Sequence, residues 1–217
     1  MDQPDRPALR DLLHVEVAAV VAALGEANRA REVALPACRR VIRASGSSIR
    51  AVHRLDFERA RELAAEAAEA LAEAQHALAA HPELAWAGFL HDAEKEYAEA
   101  RLVAALVTGA QPPTAADLAI DSRSWMKGLA EAASELRRHL LDRLREGDLG
   151  RGEELLGVMD DAYDALVVVD FPDALTAGLR RTLDALRAVL ERTRGDVTLT
   201  VLQTRLQRTI EGRSAGS

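Results

Sequence analysis

Apolar residues recur every three or four positions along most of this chain, and that period constrains its fold more than any other feature. The pattern is clear in residues 9–24 and 174–194, where leucine and valine return at the spacing of one helical face. A repeat near 3.6 residues is that of an α-helix, whereas a half-buried strand alternates at every second residue. The 13 glycines and 7 prolines among 217 residues are also few for a protein with many tight β-turns. We therefore predict an all-α protein.

Breaks in this pattern divide the chain into about seven helices, which we expect to form one bundle domain over residues 1–217. Asp56 is a predicted N-cap, Gly25 is expected to bend or end a helix, and Pro36 is expected to kink one. The predicted helical segments are 9–24, 27–54, 57–80, 86–107, 121–144, 153–168, 174–194 and 197–210, of which the first two form one helix if Gly25 only bends it. Gly195 and Asp196 separate the last two. Residues 197–201 are also compatible with a strand, but a single strand would lack a partner, so a helix is predicted. Residues 1–6 and 212–217 are expected to be flexible ends.

Several classes of protein are excluded by what the sequence lacks. Cys38 is the single cysteine, so neither an intramolecular disulfide nor a cysteine-based zinc site is possible. No apolar run approaches the roughly 20 residues of a membrane span, and the N-terminus lacks the apolar core of a signal peptide. The chain has no glycine-rich phosphate loop, and its six histidines show no metal-ligand spacing. We expect a cytoplasmic protein without a membrane partner.

Positive charge is concentrated in one segment of an otherwise acidic chain. The net charge is -7, yet residues 29–54 contain seven arginines and a single acid, Glu32, and therefore carry +6 against -13 for the remainder. A local basic surface can bind phosphate groups although the whole protein is acidic, because salt screens charges beyond about 10 Å. A solvated helix face would explain the same pattern. The residues of this segment that we predict to bind phosphate groups are Arg39, Arg40, Arg43, Arg50 and Arg54.

Two pairs of glutamates are the candidate chemical groups. Glu96 and Glu99 lie three residues apart on one predicted helix, and Glu131 and Glu135 lie four apart on another, so each pair shares a helical face. If the two helices face each other, four carboxylates meet, and cations must neutralise them. Such oxygen-rich sites suit Mg2+ or Mn2+. Spacing alone is weak evidence, because a third helix repeats it at exposed positions, but here apolar residues flank both pairs.

Two motifs resemble those of the translin/TRAX family, on its TRAX-like, catalytic side. The stretch Glu96-Tyr97-Ala98-Glu99-Ala100 resembles the family motif EYxEA, and residues 128–138 resemble its motif GxxDLxGEL followed by a basic end. Weaker similarities cover the first long helix, with its basic cluster and the pair His53-Arg54, and residues 179–190. The order and spacing of these pieces agree over roughly residues 25–195.

The resemblance implies a seven-helix bundle that assembles into a closed, hollow homo-oligomer, often an octamer. It also implies a Mg2+-dependent endoribonuclease that cleaves single-stranded RNA inside the shell by attack of a metal-activated water. The family's four catalytic, metal-binding acids fall on Glu96, Glu99, Glu131 and Glu135, with Glu131 standing where TRAX has aspartate. His91 and Lys95, close to these acids on the same helix, are further candidates for RNA contact.

Two other interpretations remain open at this point. The chain is also compatible with a translin-like oligomer that binds single-stranded RNA or DNA without cleaving it, because the longer Glu131 side chain changes the metal geometry. An unrelated helical scaffold is the third possibility. Mg2+-dependent cleavage, binding without cleavage, and the absence of salt-sensitive RNA binding distinguish the three.

Overall fold

Seven α-helices and one short 3-10 helix make up the computed structural model, which describes residues 6–214. The helices are α1 (Arg6–His53), α2 (Phe57–Leu78), α3 (Phe89–Thr108), α4 (Ser122–Arg145), α5 (Leu149–Val167), α6 (Asp173–Thr176) and α7 (Leu179–Ser214), with the 3-10 helix at Pro82–Ala87. No strand occurs within residues 6–214, so the all-α, seven-helix prediction is confirmed and the last segment is helical. Most of the predicted flexible ends, residues 1–5 and 215–217, lies outside the described residues.

Several predicted helix boundaries were wrong. Neither Gly25 nor Pro36 ends α1, which runs unbroken for 48 residues, and Gly195 lies inside α7. A glycine costs a helix only about 1 kcal/mol, and the packing of the buried residues that follow Pro36 offsets the hydrogen bond that proline lacks. The break near the C-terminus comes instead at Ala177 and Gly178, which have φ of 52° and 77°. Helix α5 was also predicted to begin at residue 153, four residues after its actual start at Leu149. The side chain of Asp148 caps this earlier start by accepting a hydrogen bond from the Arg151 amide.

The core lies along two central helices, α3 and α4. Helix α1 packs against α2 and α3, α3 packs against α4, and α4 packs against α5 and α7. Fully buried leucines fill the centre, including Leu102 of α3, Leu136 and Leu140 of α4, and Leu186 of α7. Alanines line many of the helix contacts, and their small side chains allow neighbouring backbones to approach closely. Residues on the facing sides of α3 and α4 therefore meet at short range.

Gly128 marks the closest contact between α3 and α4. A Cβ atom built on this glycine would lie 2.7 Å from the Cβ of Ala98, 2.9 Å from the carbonyl oxygen of Lys95 and 3.0 Å from the amide nitrogen of Glu99. Real Cβ atoms do not approach other atoms this closely, so only glycine fits. The contact sets the register that brings Glu96 and Glu99 opposite Glu131, one helical turn beyond Gly128.

Two helical arms carry exposed apolar side chains. In the first half of α1 and the last part of α7, large apolar residues are 42–66% exposed within the described chain: Leu9, Leu12, Leu13, Val15, Val17, Val20, Val21, Leu24, Leu199, Leu202, Leu206 and Ile210. Among the side chains of α1 whose burial is described, the first buried one is that of Ala34. Among residues 6–214, none of the helices combines the length and the apolar character that crossing a bilayer would require.

A candidate metal centre between two central helices

Three of the four predicted acids come together where α3 and α4 are closest. One carboxylate oxygen from each of Glu96, Glu99 and Glu131 lies within 4.8 Å of the other two. Mg2+ binds six oxygens at about 2.0–2.1 Å, which places two oxygens on the same ion about 3 Å or about 4 Å apart. Side-chain rotations that move these oxygens by about an ångström would therefore allow all three to bind one cation. The donor set, three carboxylates, is the kind that Mg2+ and Mn2+ prefer.

Glu135, the fourth predicted acid, lies beside this trio but points to a different partner. Its Oε2 is 2.9 Å from Nε2 of His53, at the end of α1. A carboxylate only accepts hydrogen bonds, so Nε2 carries the proton, and this hydrogen bond from His53 lowers the pKa of Glu135. The His53 side chain is 3% exposed, and its other ring nitrogen is buried without a hydrogen-bond partner. His53 thus orients Glu135 from a third helix.

The carboxyl group of Glu99 is the most perturbed member of the trio. It is buried, and its pKa is raised to about 8, first by burial and then by the negative charges of Glu131, Glu96 and Glu135. The positive charge of Lys95 offsets part of this rise. At neutral pH the metal-free group therefore holds its proton. A divalent cation at the cluster would stabilise the ionised form and release that proton.

Lys95 lies inside the acid cluster. Its Nζ is 2.9 Å from Oε1 of Glu96 and 2.5 Å from Oε2 of Glu131, and its side chain is 16% exposed. Burial alone would lower the pKa of Lys95, but its hydrogen bonds to the two glutamates and their charges raise it above its ordinary value. The sequence predicted an RNA contact for this residue; in the structure its ammonium group joins α3 to α4 through carboxylates.

His91 belongs to a separate polar cluster around Glu94. Nδ1 of His91 is 3.2 Å from Oε2 of Glu94, a residue that is only 4% exposed. Gln75 and Ser124 donate further hydrogen bonds to the Glu94 carboxylate, each at 3.2 Å. These contacts tie together α2, α3 and the start of α4. Glu94 was not singled out in the sequence, because an acid beside Glu96 looks like another solvated residue.

The predicted arginines of α1 are all exposed, but they do not form one free basic surface. Arg40 forms a salt bridge with Glu73 of α2. Arg40 and Arg43 line an open groove whose other wall carries three glutamates of α2, Glu66, Glu69 and Glu73. Arg50 donates a hydrogen bond to Ser47 at 2.8 Å, and Arg39 is exposed. Glutamates of α2 therefore offset much of the positive charge in this part of the predicted basic segment.

Arg54 differs from the other four, because its neighbour in the chain, His53, contacts Glu135. It follows His53 directly and lines an open depression with His139, Arg143 and Arg145 of α4. A neighbouring depression on α4 is lined by Glu135, Arg138 and Arg145. The positive charge of Arg138 contributes to the lowered pKa of Glu135. Arginines of the C-terminal half of α4, which the sequence analysis did not single out, thus line the depressions beside His53 and Glu135.

Known proteins are similar to this chain along most of its length. No protein-family model matches it. An uncharacterized protein of Methanocaldococcus jannaschii is 28% identical over 176 residues, which cover 80% of this chain and 78% of that protein.

Two solved structures of AfC3PO, an archaeal translin/TRAX-like protein, are 32% identical and cover 87% of this chain. The structure of AfC3PO with duplex RNA has a TM-score of 0.80 and is covered over 97% of its length; the crystal structure of AfC3PO has a TM-score of 0.79 and is covered over 98%. The crystal structure of apo-NeC3PO is 16% identical, with a TM-score of 0.73 over 92% of this chain and 99% of that one, and supports the fold alone.

Proposed function

Because this chain belongs to the translin/TRAX family, we propose that it is a Mg2+-dependent endoribonuclease of the TRAX-like type that acts on single-stranded RNA. One observation carries the proposal: carboxylate oxygens of Glu96, Glu99 and Glu131, from two different helices, lie within 4.8 Å of one another. The duplex RNA complex of AfC3PO supports RNA as the partner. The preference for single strands, with single-stranded DNA as a second candidate, is part of the proposal.

Each group near the cluster has a proposed part in the reaction. Glu96, Glu99 and Glu131 hold the divalent cation, Mg2+ or Mn2+. Glu135 adds a fourth negative charge beside them, in the orientation fixed by His53. A bound divalent cation supplies two things there: it makes a water molecule easier to deprotonate, and it neutralises charge on the phosphate. Contacts to phosphates carry little sequence information, so cleavage is expected to show little sequence preference.

Exposed arginines that line the two neighbouring depressions beside His53 and Glu135 would bind the phosphates of RNA. Arg54 lines one depression, Arg138 lines the other, and Arg145 lines both. Arg39, Arg40, Arg43 and Arg50, together with His91, remain predicted RNA contacts. Arg43 lies 11 residues before Arg54, which directly follows α1, and this is about 16 Å along the axis of that helix. The more distant arginines would therefore contact a different part of the strand.

Labelled single-stranded RNA and the matching duplex test this function directly. Cleavage is expected with Mg2+ or Mn2+, faster on the single strand, and is expected to stop in EDTA. Cleavage that persists in EDTA, or its absence with both metals, would contradict the proposal. Binding without cleavage would favour the second candidate, a non-catalytic nucleic-acid-binding oligomer, which the contacts of Lys95 with two of the three acids favour.

The affinity for Mn2+ is expected to rise with pH. Glu99 must lose its proton to bind the cation, and its pKa is about 8, so below pH 8 the ionised fraction falls about tenfold per pH unit. Calorimetric titration with Mn2+ between pH 6 and 9 measures this slope, and buffers of different ionisation enthalpy count the protons released. Glu99→Gln is expected to flatten the slope. An affinity that does not change with pH in the native protein would show that Glu99 is not a ligand.

We also propose that the chain assembles into a closed, hollow homo-oligomer, with an octamer as the expected size. The exposed apolar residues of α1 and α7 support assembly, because isolated soluble proteins rarely expose continuous apolar patches of this extent. At 100° per residue, Leu13, Val17, Val20 and Leu24 share one face of α1. That face is suited to packing against another copy of the chain.

Charges on this apolar face of α1 are expected to break the assembly. The double variant Leu13→Glu, Val20→Glu buries two unpaired charges in the proposed interface, which is strongly unfavourable. Multi-angle light scattering is expected to show a species of lower mass than the native protein. Ala22→Glu is the matched control, because Ala22 lies on the opposite side of α1 and is exposed. A native mass for the double variant, or a native protein that is already monomeric, would contradict the proposed interface.

A further inference from the structure

The ammonium group of Lys95 occupies the position of a cation within the acid cluster. Nζ contacts Oε1 of Glu96 at 2.9 Å and Oε2 of Glu131 at 2.5 Å, so it binds one acid of α3 and one of α4. The contact with Glu96 has the length of a charge-assisted hydrogen bond, and the contact with Glu131 is shorter still. The side chain is mostly buried, at 16% exposure, and Lys95 is also the cation that offsets the negative charges around Glu99. The cluster therefore has its own positive charge, covalently attached to the protein.

A divalent cation and this ammonium group would compete for the same two carboxylates. A cation held at about 2 Å by the carboxylates of Glu96 and Glu131 would lie within a few ångströms of Nζ in its present position. Two like charges at that distance in a partly buried site repel each other strongly. Each hydrogen bond to Nζ also occupies a lone pair on a carboxylate oxygen for which a metal ion would compete. Binding of the metal is therefore expected to displace Nζ from its present position.

We propose that Lys95 is a built-in counter-ion that holds α3 and α4 together when no metal is bound and competes with the divalent cation for Glu96 and Glu131. The inference rests on the proposed function, because it takes this cluster to be the metal site. It assigns Lys95 two effects of opposite sign: the residue stabilises the metal-free protein and weakens its affinity for metal. The site would then fill only above a metal concentration that Lys95 sets.

Lys95→Met tests this competition, because methionine retains most of the apolar stem and removes the charge. Calorimetric titration with Mn2+ at pH 8 is expected to show binding at least about tenfold tighter in Lys95→Met than in the native protein. In EDTA the variant is expected to unfold at a lower temperature than the native protein, and Mn2+ is expected to raise that temperature by more. Lys95→Gln, which keeps a hydrogen-bond donor, is expected to shift affinity in the same direction and gives a second variant if the first does not fold.

Arg59→Met is the matched control. Arg59 also contacts two glutamates, Glu62 at 2.8 Å and Glu66 at 3.7 Å, but on the exposed face of α2. The control loses the same unit of charge and is expected to leave the affinity for Mn2+ unchanged.

The possible results distinguish this inference from the proposed function. Equal or weaker Mn2+ binding by both Lys95 variants, with binding retained by the native protein, would overturn the role of Lys95 and leave the metal site intact. If neither the native protein nor the variants bind Mn2+, the metal site of the proposed function fails and the inference fails with it. Tighter binding by Arg59→Met as well would attribute the effect to net charge and would also overturn the role of Lys95.

Discussion

Glu99→Gln is expected to lower the rate of Mg2+-dependent RNA cleavage by roughly 100- to 1,000-fold while the protein stays folded. Glutamine has nearly the shape of glutamic acid, so it fits the same buried position between α3 and α4, but it cannot supply a negative charge to a cation. A metal ion contributes several kcal/mol to the stabilisation of charge in such reactions, and 3–4 kcal/mol corresponds to a factor of this size. The cleavage rate at saturating RNA measures the effect.

The same variant is expected to gain stability at high pH in the absence of metal. In the native protein Glu99 binds its proton more tightly when folded, with a pKa of about 8 against an ordinary value of 4.5. The stability that this proton provides is complete below 4.5, declines as pH rises from there, and is lost above 8. Glutamine does not titrate, so thermal unfolding in EDTA at pH 9 is expected to favour the variant. At about 1.36 kcal/mol per pKa unit, the difference would be at most about 5 kcal/mol.

Glu66→Gln is the matched control for both effects. Glu66 is an exposed glutamate of α2 that contacts Arg59 at 3.7 Å, and exposed pairs of this kind contribute little to stability. The control is expected to cleave RNA at the native rate. Native cleavage by Glu99→Gln would remove the acid cluster from the reaction, and native stability of that variant at pH 9 would show that Glu99 is not buried as described.

Gly128→Ala is expected to disrupt the site by pushing the backbones of α3 and α4 apart. The new methyl group would lie 2.7 Å from the Cβ of Ala98 and 2.9 Å from the carbonyl oxygen of Lys95, so α3 and α4 must move apart. Alanine gains about 1 kcal/mol over glycine inside a helix, but overpacking a tight contact typically costs about 1–3 kcal/mol. We expect a net loss of up to about 2 kcal/mol in the free energy of unfolding, and affinity for Mn2+ and cleavage both lowered at least about tenfold.

Gly157→Ala separates this effect from helix propensity. Gly157 lies inside α5, and a Cβ atom there would meet nothing within 4 Å outside its own helix. This control is expected to raise the free energy of unfolding by about 0.5–1 kcal/mol and to leave metal binding unchanged. Denaturant unfolding and Mn2+ titration of both variants give the comparison. If Gly128→Ala is as stable as Gly157→Ala and binds Mn2+ normally, α3 and α4 are not held as closely as the structure has them.

The fold could be predicted from the sequence because a helical bundle depends mainly on local periodicity. The wrong boundaries have local causes too. Gly25 and Gly195 look like helix ends, yet one glycine costs less than the hydrogen bonds that an unbroken helix retains. The break near Ala177 was missed because an alanine with φ of 52° carries no signal of a turn in the sequence.

The acid cluster was predicted only in part, because spacing reports contacts within one helix and not between helices. Pairs such as Glu96 and Glu99 follow from helical geometry. The contact between His53 and Glu135 joins residues 82 positions apart, and the contact between Lys95 and Glu131 joins residues 36 apart, so neither follows from spacing. Likewise, the sequence did not show that Glu73 offsets the charge of Arg40, because the two residues lie 33 positions apart and on different helices.

Anomalous X-ray scattering from crystals soaked in Mn2+ tests the central claim most directly. The account predicts a manganese peak between α3 and α4, bound by carboxylate oxygens of Glu96, Glu99 and Glu131, with the Nζ of Lys95 moved away from Glu96 and Glu131. A fully soaked crystal with no peak among these three glutamates, or with manganese bound only elsewhere on the chain, would contradict it.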